Sequence, residues 1–430
     1  MDEIVIVDCV RTAIGNFGGA LREIPVTHLG SSVVNELLRR NNLRPVPPKE
    51  NTAATPRTLT QELTPLEKKY YKWSEEAKEI VIDEVIMGNV LQAGQGQNVA
   101  RQVAIYGGLP KETPAYTVNK VCASGLKAIS LAAQAIMTHE ANVIIAGGME
   151  NMSNTPYALP RARWGYKMDI TGQGEIYDLM VLDGLMESLY GYHMGITAEN
   201  VAEKYHITRQ EQDELGFLSH QRAREAIRKG VFKDEIKPIL IPQKKGDPKV
   251  FDIDERPMET SLEKMAKLQP VFKKDGTVTA GNASGINDAA AAILLMKEET
   301  ATQLGLKPLA RITSFATTAL DPAYMGLGPV PATKKALEKA NLTLNDIDLI
   351  ELNEAFAATT IACMRELELN IEKTNIYGSG ISLGHPIGCT GARIVVTLLH
   401  AMKRNKARYG LATLCIGGGQ GMAMVFELVN

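Results

Sequence analysis

The sequence predicts an α/β chain of 430 residues in which two duplicated, layered halves flank an inserted loop region. Two observations predict the duplication and one the insert. A strand, a turn, a helix and a second strand follow one another near residues 84–148 and again near 348–419. The strands of both sets are apolar runs joined by helical crossovers, as strands covered on both faces read. Residues 158–285 are richer in charge and loops than either flank, with Arg161, Arg163, Lys167 and a basic series from Lys244 to Lys274. On composition alone such a series is most often a solvated face.

Taken in order, residues 1–13 read as a strand whose acidic start, Asp2 and Glu3, lacks the basic head and long apolar core of a secretory signal. Residues 45–79 open on Pro45-Val46-Pro47-Pro48 and end in a charged stretch that predicts a helix over 66–78. Proline content and polarity make this a surface excursion, and Tyr70, Tyr71 and Trp73 offer it a hold on the body or on a partner. A strand at 84–87 leads into Gly88-Asn89. Cys122 lies in Val118-Asn119-Lys120-Val121-Cys122-Ala123-Ser124-Gly125, after a β-rich stretch and before a helix with Leu126, Ile129, Ala133, Ile136 and Met137 on one buried face. A thiol on such a turn meets free N–H groups and the helix dipole, which favour the thiolate. For a lone cysteine the plain alternative is a small buried hydrophobe. A strand at 142–146 then ends in Gly147-Gly148. The second half repeats the order: a strand at 348–352 leads into Asn353, Gly384-His385-Pro386-Ile387-Gly388 and Thr390-Gly391 open a helix through Ile394, Leu398 and Met402, and a strand at 411–416 ends in Gly417-Gly418-Gly419.

Four reactive or polar groups thus stand at strand ends: Cys122, Asn353, His385 and Cys415. A nucleophilic thiol, an imidazole base, a second thiol able to carry a proton and an amide able to hold a water or an oxyanion are what carbon–carbon bond chemistry on a thioester needs. Other classes fit less well. A net charge of −2 gives no polyelectrolyte attraction to nucleic acid, and an odd five cysteines without paired spacing speak for a reducing compartment. No run reaches transmembrane length and the C-terminus is not the peroxisomal tripeptide, so the expected location is the cytoplasm, with no membrane partner. Metal is not expected: no C-x-x-C pair occurs, and His385 and Cys389 are separated by Pro386 and Gly388. No G-x-G-x-x-G follows a strand, and the glycines after Cys415 lack the Lys and Ser/Thr of a phosphate loop.

These segments, in this order, resemble the thiolase family, and within it the biosynthetic acetyl-CoA acetyltransferases. The resemblance runs nearly end to end and includes Val7-Asp8-Cys9-Val10-Arg11-Thr12-Ala13-Ile14-Gly15, Ala146-Gly147-Gly148-Met149-Glu150-Asn151-Met152-Ser153, Tyr192-His193-Met194-Gly195 and Thr279-Ala280-Gly281-Asn282-Ala283-Ser284-Gly285-Ile286-Asn287-Asp288. It implies a thiolase-like layered fold: an N-terminal domain of residues 1–157 and 286–307, a loop domain of 158–285 that receives CoA, and a C-terminal domain of 308–430. It implies an acetyl-CoA C-acetyltransferase working through an acetyl-cysteine, in fatty acid metabolism, with CoA and acyl-CoA as substrates and no bound cofactor. A homotetramer, formed as a dimer of dimers through residues 158–180, is implied in the same way.

The resemblance also assigns roles. Cys122 is the nucleophile, His385 takes its proton and Cys415 is the base at the methyl carbon. The N–H groups of Cys122 and Gly417 serve one oxyanion, and His385 with a water on Asn353 serves the other. His193 and Met194 match the loop beside pantetheine and acyl group, Phe272 an apolar residue beside the adenine, and Ser284 a pantetheine contact, while Phe356 is a pocket wall bearing on chain length. For His193 a satisfied structural histidine is the plain alternative. Two departures stand out. Pro257 and Lys264 occupy places where the family often has Arg and Ser at the nucleotide end, leaving Arg256 and Lys264 as substitutes, and residues 45–79 replace a short link. A broader 3-ketoacyl-CoA thiolase and a non-catalytic acyl-CoA-binding relative remain the alternatives.

Overall fold

The computed structural model describes residues 3–429 apart from 57, 60, 61 and 169–173. Its first strand, β1 (Ile4–Thr12), is buried at every position except Asp8. In the first half β1 is followed by α1 (Val26–Arg40), β2 (Glu84–Gly88), α2 (Val99–Tyr106), β3 (Ala115–Val118), α3 (Ser124–Met137), β4 (Val143–Asn151) and, after the loop region, β5 (Asn287–Lys297). The loop region carries α4 (Met194–Lys204) and α5 (Arg209–Arg228). The second half runs β6 (Ala310–Ala319), α6 (Pro329–Ala340), β7 (Leu349–Leu352), α7 (Ala357–Leu367), α8 (Ile387–Asn405), β8 (Tyr409–Ile416) and β9 (Gln420–Leu428).

Strand directions make the duplication concrete. In the first half β1 and β5 are antiparallel, β5 and β4 antiparallel, and β4 and β2 parallel. In the second half β6 and β9, β9 and β8, and β8 and β7 repeat that sequence of directions. The halves meet where Val5 pairs with Arg311 and Ile6 with Ala310, so the strand order β7-β8-β9-β6-β1-β5-β4-β2-β3 is unbroken. A parallel pair requires a crossover, and α3 and α8 are those crossovers.

The two crossover helices meet main chain to main chain. A Cβ on Gly125 would lie 2.7 Å from the nitrogen of Ala392, and one on Gly391 would lie 2.4 Å from that of Leu126. Only glycine allows this approach. Because the contact lies within the first two turns of both helices, it draws together the turns that precede them, those of Cys122 and His385. Helix α8 is buried along nearly its whole length, Thr390, Arg393 and Thr397 included, as a helix at the centre of a layered fold must be. Helix α3 buries Leu126, Ile129, Ala133 and Ile136 as its spacing predicts, but Met137, at the last turn, is exposed.

The excursion at 45–79 packs onto the body. Leu43–Pro45 pairs in parallel with Lys78–Ile80, the Tyr71 hydroxyl donates to Pro45 O at 2.8 Å and the Trp73 indole to Gly108 O at 2.7 Å, while Tyr70 lies against Tyr106. Its helix spans Pro65–Tyr70, started by a Thr64–Glu67 capping box, rather than the expected 66–78. The anchoring of Tyr71 to the carbonyl of Pro45, where the excursion begins, and of Trp73 to that of Gly108 in the body, with the strand pairing at Lys78–Ile80, takes residues that helical continuation would need. The loop region is tied down by Arg11, which is fully buried and paired with Glu235 at 2.6 Å and Asp254 at 2.7 Å.

Candidate active site

Cys122 sits on a strained turn. Val121, a β-branched residue, has φ +47°, a region such residues rarely enter. The neighbours over-determine it: the Val121 N–H donates to Asn119 Oδ1, and Ser124 Oγ accepts from the Lys120 N–H at 2.9 Å while donating to Val121 O at 2.7 Å. The N–H groups of Gly417 and of Cys122 itself donate to the sulfur. They do not produce the thiolate that the sequence leads one to expect. Burial pushes the thiol up to about 11, the two N–H bonds offset this only in part, and the nearby Glu150 adds to it, so the resting group is the thiol.

His385 is fixed from behind. Asn287 Oδ1 accepts its N–H at 3.0 Å, and the preceding Gly384 has φ +115° with the Asn287 amide where a Cβ would stand, 2.5 Å away. Its Nδ1 lies 2.6 Å from Thr390 Oγ1, whose hydroxyl donates to Pro386 O at 2.9 Å. With that hydroxyl proton committed, Nδ1 is the donor and Nε2 carries the free lone pair. Burial, reinforced by Arg393, holds the ring down to about 3, so it is neutral and able to accept a proton.

Cys415 ends β8 in an apolar cluster with Met194, Phe272, Ala355 and Phe356, and its thiol is raised by burial and then by Cys122. Asn353 follows β7. It is buried, and neither its amide nitrogen nor its amide oxygen has a protein partner. Gly417 lies under the Met194 methyl group, where a Cβ would come within 2.5 Å.

Cys122 and His385 open on one cavity of about 670 Å³, a volume suited to a small organic ligand. The loop region supplies much of its wall: His193 and Phe272 stack at 4.5 Å, and Phe356 meets Phe272 edge-on at 6.2 Å.

Family models described as the thiolase N-terminal and C-terminal domains match residues 73–299 and 306–428. The chain belongs to the thiolase family. Acetyl-CoA acetyltransferases of Syntrophomonas wolfei and Pseudomonas aeruginosa are each 51% identical to it, over 427 and 425 residues, with 99% of both chains covered. The crystal structure of the Bacillus anthracis acetyl-CoA acetyltransferase superposes with a TM-score of 0.88 at 42% identity, covering 100% of this chain and 99% of that one.

The residues that the thiolase resemblance assigned to CoA divide on inspection. His193, Met194, Ser284, Phe272, Phe356 and Arg256 line the cavity. His193 is also structural, since its Nδ1 accepts the Gly195 N–H and caps α4. Phe272, expected beside the adenine, packs against the apolar cluster that holds Cys415. Arg256 reaches the cavity but spends Nε on Ile381 O at 2.7 Å and Nη2 on Ala283 O at 3.0 Å, bracing two loops. Lys264 is exposed on the short helix Leu262–Ala266 and is not part of the wall. Asn16, Phe17, Met258 and Met325 also line this thiolase's cavity and were missed. Asn16 directly follows the matched stretch that ends at Gly15, so that motif was the available signal. Among the described residues no group of three or more His, Cys, Asp or Glu could hold a metal ion, and no helix is long and apolar enough to cross a membrane.

Proposed function

We propose that this thiolase is an acetyl-CoA C-acetyltransferase that joins two acetyl-CoA into acetoacetyl-CoA and CoA, and reverses the reaction. The observation that carries this reading is the thiol of Cys122 facing the same cavity as the bare Nε2 of His385, with two N–H donors already aimed at its sulfur. Cys122 attacks the acetyl carbonyl, its proton passes to His385, and the departing CoA sulfur takes that proton, leaving acetyl-Cys122 and free CoA. The N–H groups of Cys122 and Gly417 receive the oxyanion. For the second acetyl-CoA, Cys415 yields its own proton to His385 and removes one from the methyl group. The enolate, held by His385 and a water on the unpartnered amide of Asn353, attacks acetyl-Cys122. The carbon–carbon bond forms, the bond to sulfur breaks, and His385 returns a proton to Cys122. Full-length relatives near 50% identity that carry the acetyltransferase name support the acetyl substrate.

The filled wall of Met194, Phe272 and Phe356 around Cys415 favours short acyl groups over the broader 3-ketoacyl range. Thiolysis by CoA across 3-ketoacyl chain lengths tests this. A steep preference for acetoacetyl-CoA with mass-labelled acetyl on Cys122 supports the proposal; equal turnover of long chains overturns it. The enzyme works in cytoplasmic fatty acid metabolism and as a homotetramer in this reading. Exposed Tyr157, Leu159, Trp164, Met168 and Ile176 around the pairing of Tyr157–Ala158 with Tyr177–Asp178 support the assembly. Trp164→Glu with Met168→Glu should lower the mass measured by light scattering.

A further inference from the structure

Glu150 takes part in none of the steps above, yet it stands between the two turns that carry them. It lies near the end of β4, fully buried, and its two oxygens receive four donors. Oε1 accepts from Asn89 Nδ2 at 2.6 Å and from the Leu91 N–H at 3.1 Å. Oε2 accepts from the Val90 N–H at 3.1 Å and from the Gly388 N–H at 2.8 Å. Three donors come from the loop after β2. The fourth belongs to the first turn of α8, immediately beyond His385.

All four partners are donors, so the site fits a carboxylate without a proton. Three are backbone N–H groups that cannot turn, and the Asn89 amide nitrogen is held in the same orientation by Met149 O at 3.2 Å. A carboxylic acid or an amide in this place would aim a hydrogen at another hydrogen. The anion also meets one of the N–H groups left free at the start of a long buried helix, where negative charge is favoured. Gly388 is needed for the contact, since a Cβ there would sit 2.7 Å from Glu150 Oε2.

We propose that Glu150 is a positioning residue for acyl transfer, its carboxylate locking the first turn of α8, and with it His385, to the Asn89–Leu91 loop of the other half. The proposal rests on the reading of Cys122 and His385 as reacting groups. Glu150 also acts on Cys122 at a distance: its negative charge works against ionisation of the thiol. Asp288, Cys122 and Cys389 are the titratable groups whose charge couples to it.

The test uses the full chain with Glu150→Gln and Glu150→Asp. Glu150→Gln keeps the shape and loses the charge. We expect KM for CoA in thiolysis to stay within about twofold, while kcat falls about 10- to 100-fold from a misplaced base. Alkylation of Cys122 by iodoacetamide, followed by peptide mass mapping across pH, should shift to lower pH. Glu150→Asp keeps the charge and loses reach, so it should lose kcat yet leave the alkylation profile near the parent's; it serves if the Gln variant does not fold. Unchanged kcat in either folded variant, or an alkylation profile in Glu150→Gln that does not move, overturns the proposal. Activity retained by Cys122→Ala would instead overturn the underlying site reading, whatever Glu150 does.

Discussion

The two halves place an asparagine at the same point and use it in opposite ways. Asn89 follows β2 and Asn353 follows β7, each at the end of the strand that pairs in parallel with its crossover partner. Asn89 gives its amide nitrogen to Glu150 and Met149 O and so belongs to the scaffold. Asn353 has no carboxylate opposite, and its whole amide is buried without a protein partner. The same division holds for the turns before the crossover helices, where the first half carries a thiol, Cys122, and the second an imidazole, His385. Duplication supplied two copies of one frame. In the mechanism proposed above, the first half contributes the nucleophile and the second the proton carriers His385 and Cys415.

The comparison breaks outright if the first half does not hold the nucleophile. Cys122→Ala should abolish acyl transfer while CoA binding persists, and mass spectrometry should find acetyl on Cys122 in the parent alone; acetyl elsewhere with activity kept would refute the assignment. Cys415→Ala separates the halves by step. It should still take up acetyl on Cys122 but lose exchange of acetyl methyl hydrogens with deuterated water, and equal loss of both steps would make Cys415 a structural partner of Cys122.

The two asparagines sharpen the contrast further. Asn353→Ala removes no protein hydrogen bond, so its melting temperature should stay near the parent's while kcat falls about 100- to 1,000-fold, the usual effect of one oxyanion donor. Asn89→Ala strips a donor from buried Glu150 and should cost about 1–3 kcal/mol in denaturant unfolding. Matching effects of the two substitutions on stability would dissolve the comparison.

The smallest expected effect is on stability against pH. Burial pushes Glu351 up to about 8. A carboxyl raised in the folded state holds its proton more tightly there than in the unfolded chain, so its contribution is present at low pH and is lost as pH rises through the folded value. His385 and His220, lowered to about 3 and about 4, act in the opposite direction, but only below the ordinary histidine value of 6.5. From about pH 6.5 to about 8 the Glu351 carboxyl prevails and the melting temperature should fall. A rise across that window in differential scanning calorimetry would contradict the burial of Glu351 as an acid.

Much of the site was legible because its chemistry requires particular residue types at strand ends, and strand ends are visible in apolar runs. Cys122, Asn353 and Cys415 were picked out that way, as was the repeat; His385 was expected at a strand end too, but turn and coil, not a strand, lead from Gly378 into its position. What escaped depends on contacts between distant segments. The wall residues Met258 and Met325 come from separate stretches, and nothing local marks them. Arg256 carries the charge that a phosphate site needs, and the carbonyls of Ile381 and Ala283 that its Nε and Nη2 also reach lie elsewhere in the chain. The helix dipole at Cys122 is a local effect and readable; the burial that outweighs it is not. Residues 66–78 have helical composition, yet Tyr71 finds a partner in Pro45 and Trp73 one in Gly108 that end the helix early.

Main chain touches main chain at Gly125 and Gly391, and this separates two properties that many enzymes must tune together. The spacing of the Cys122 and His385 turns depends on peptide geometry, which hardly varies, rather than on rotamers that every core substitution would disturb. The cavity wall facing them comes largely from the loop region, whose side chains can change in size without touching that crossing. A change in a wall side chain can therefore alter what the cavity accepts while the two turns keep their spacing.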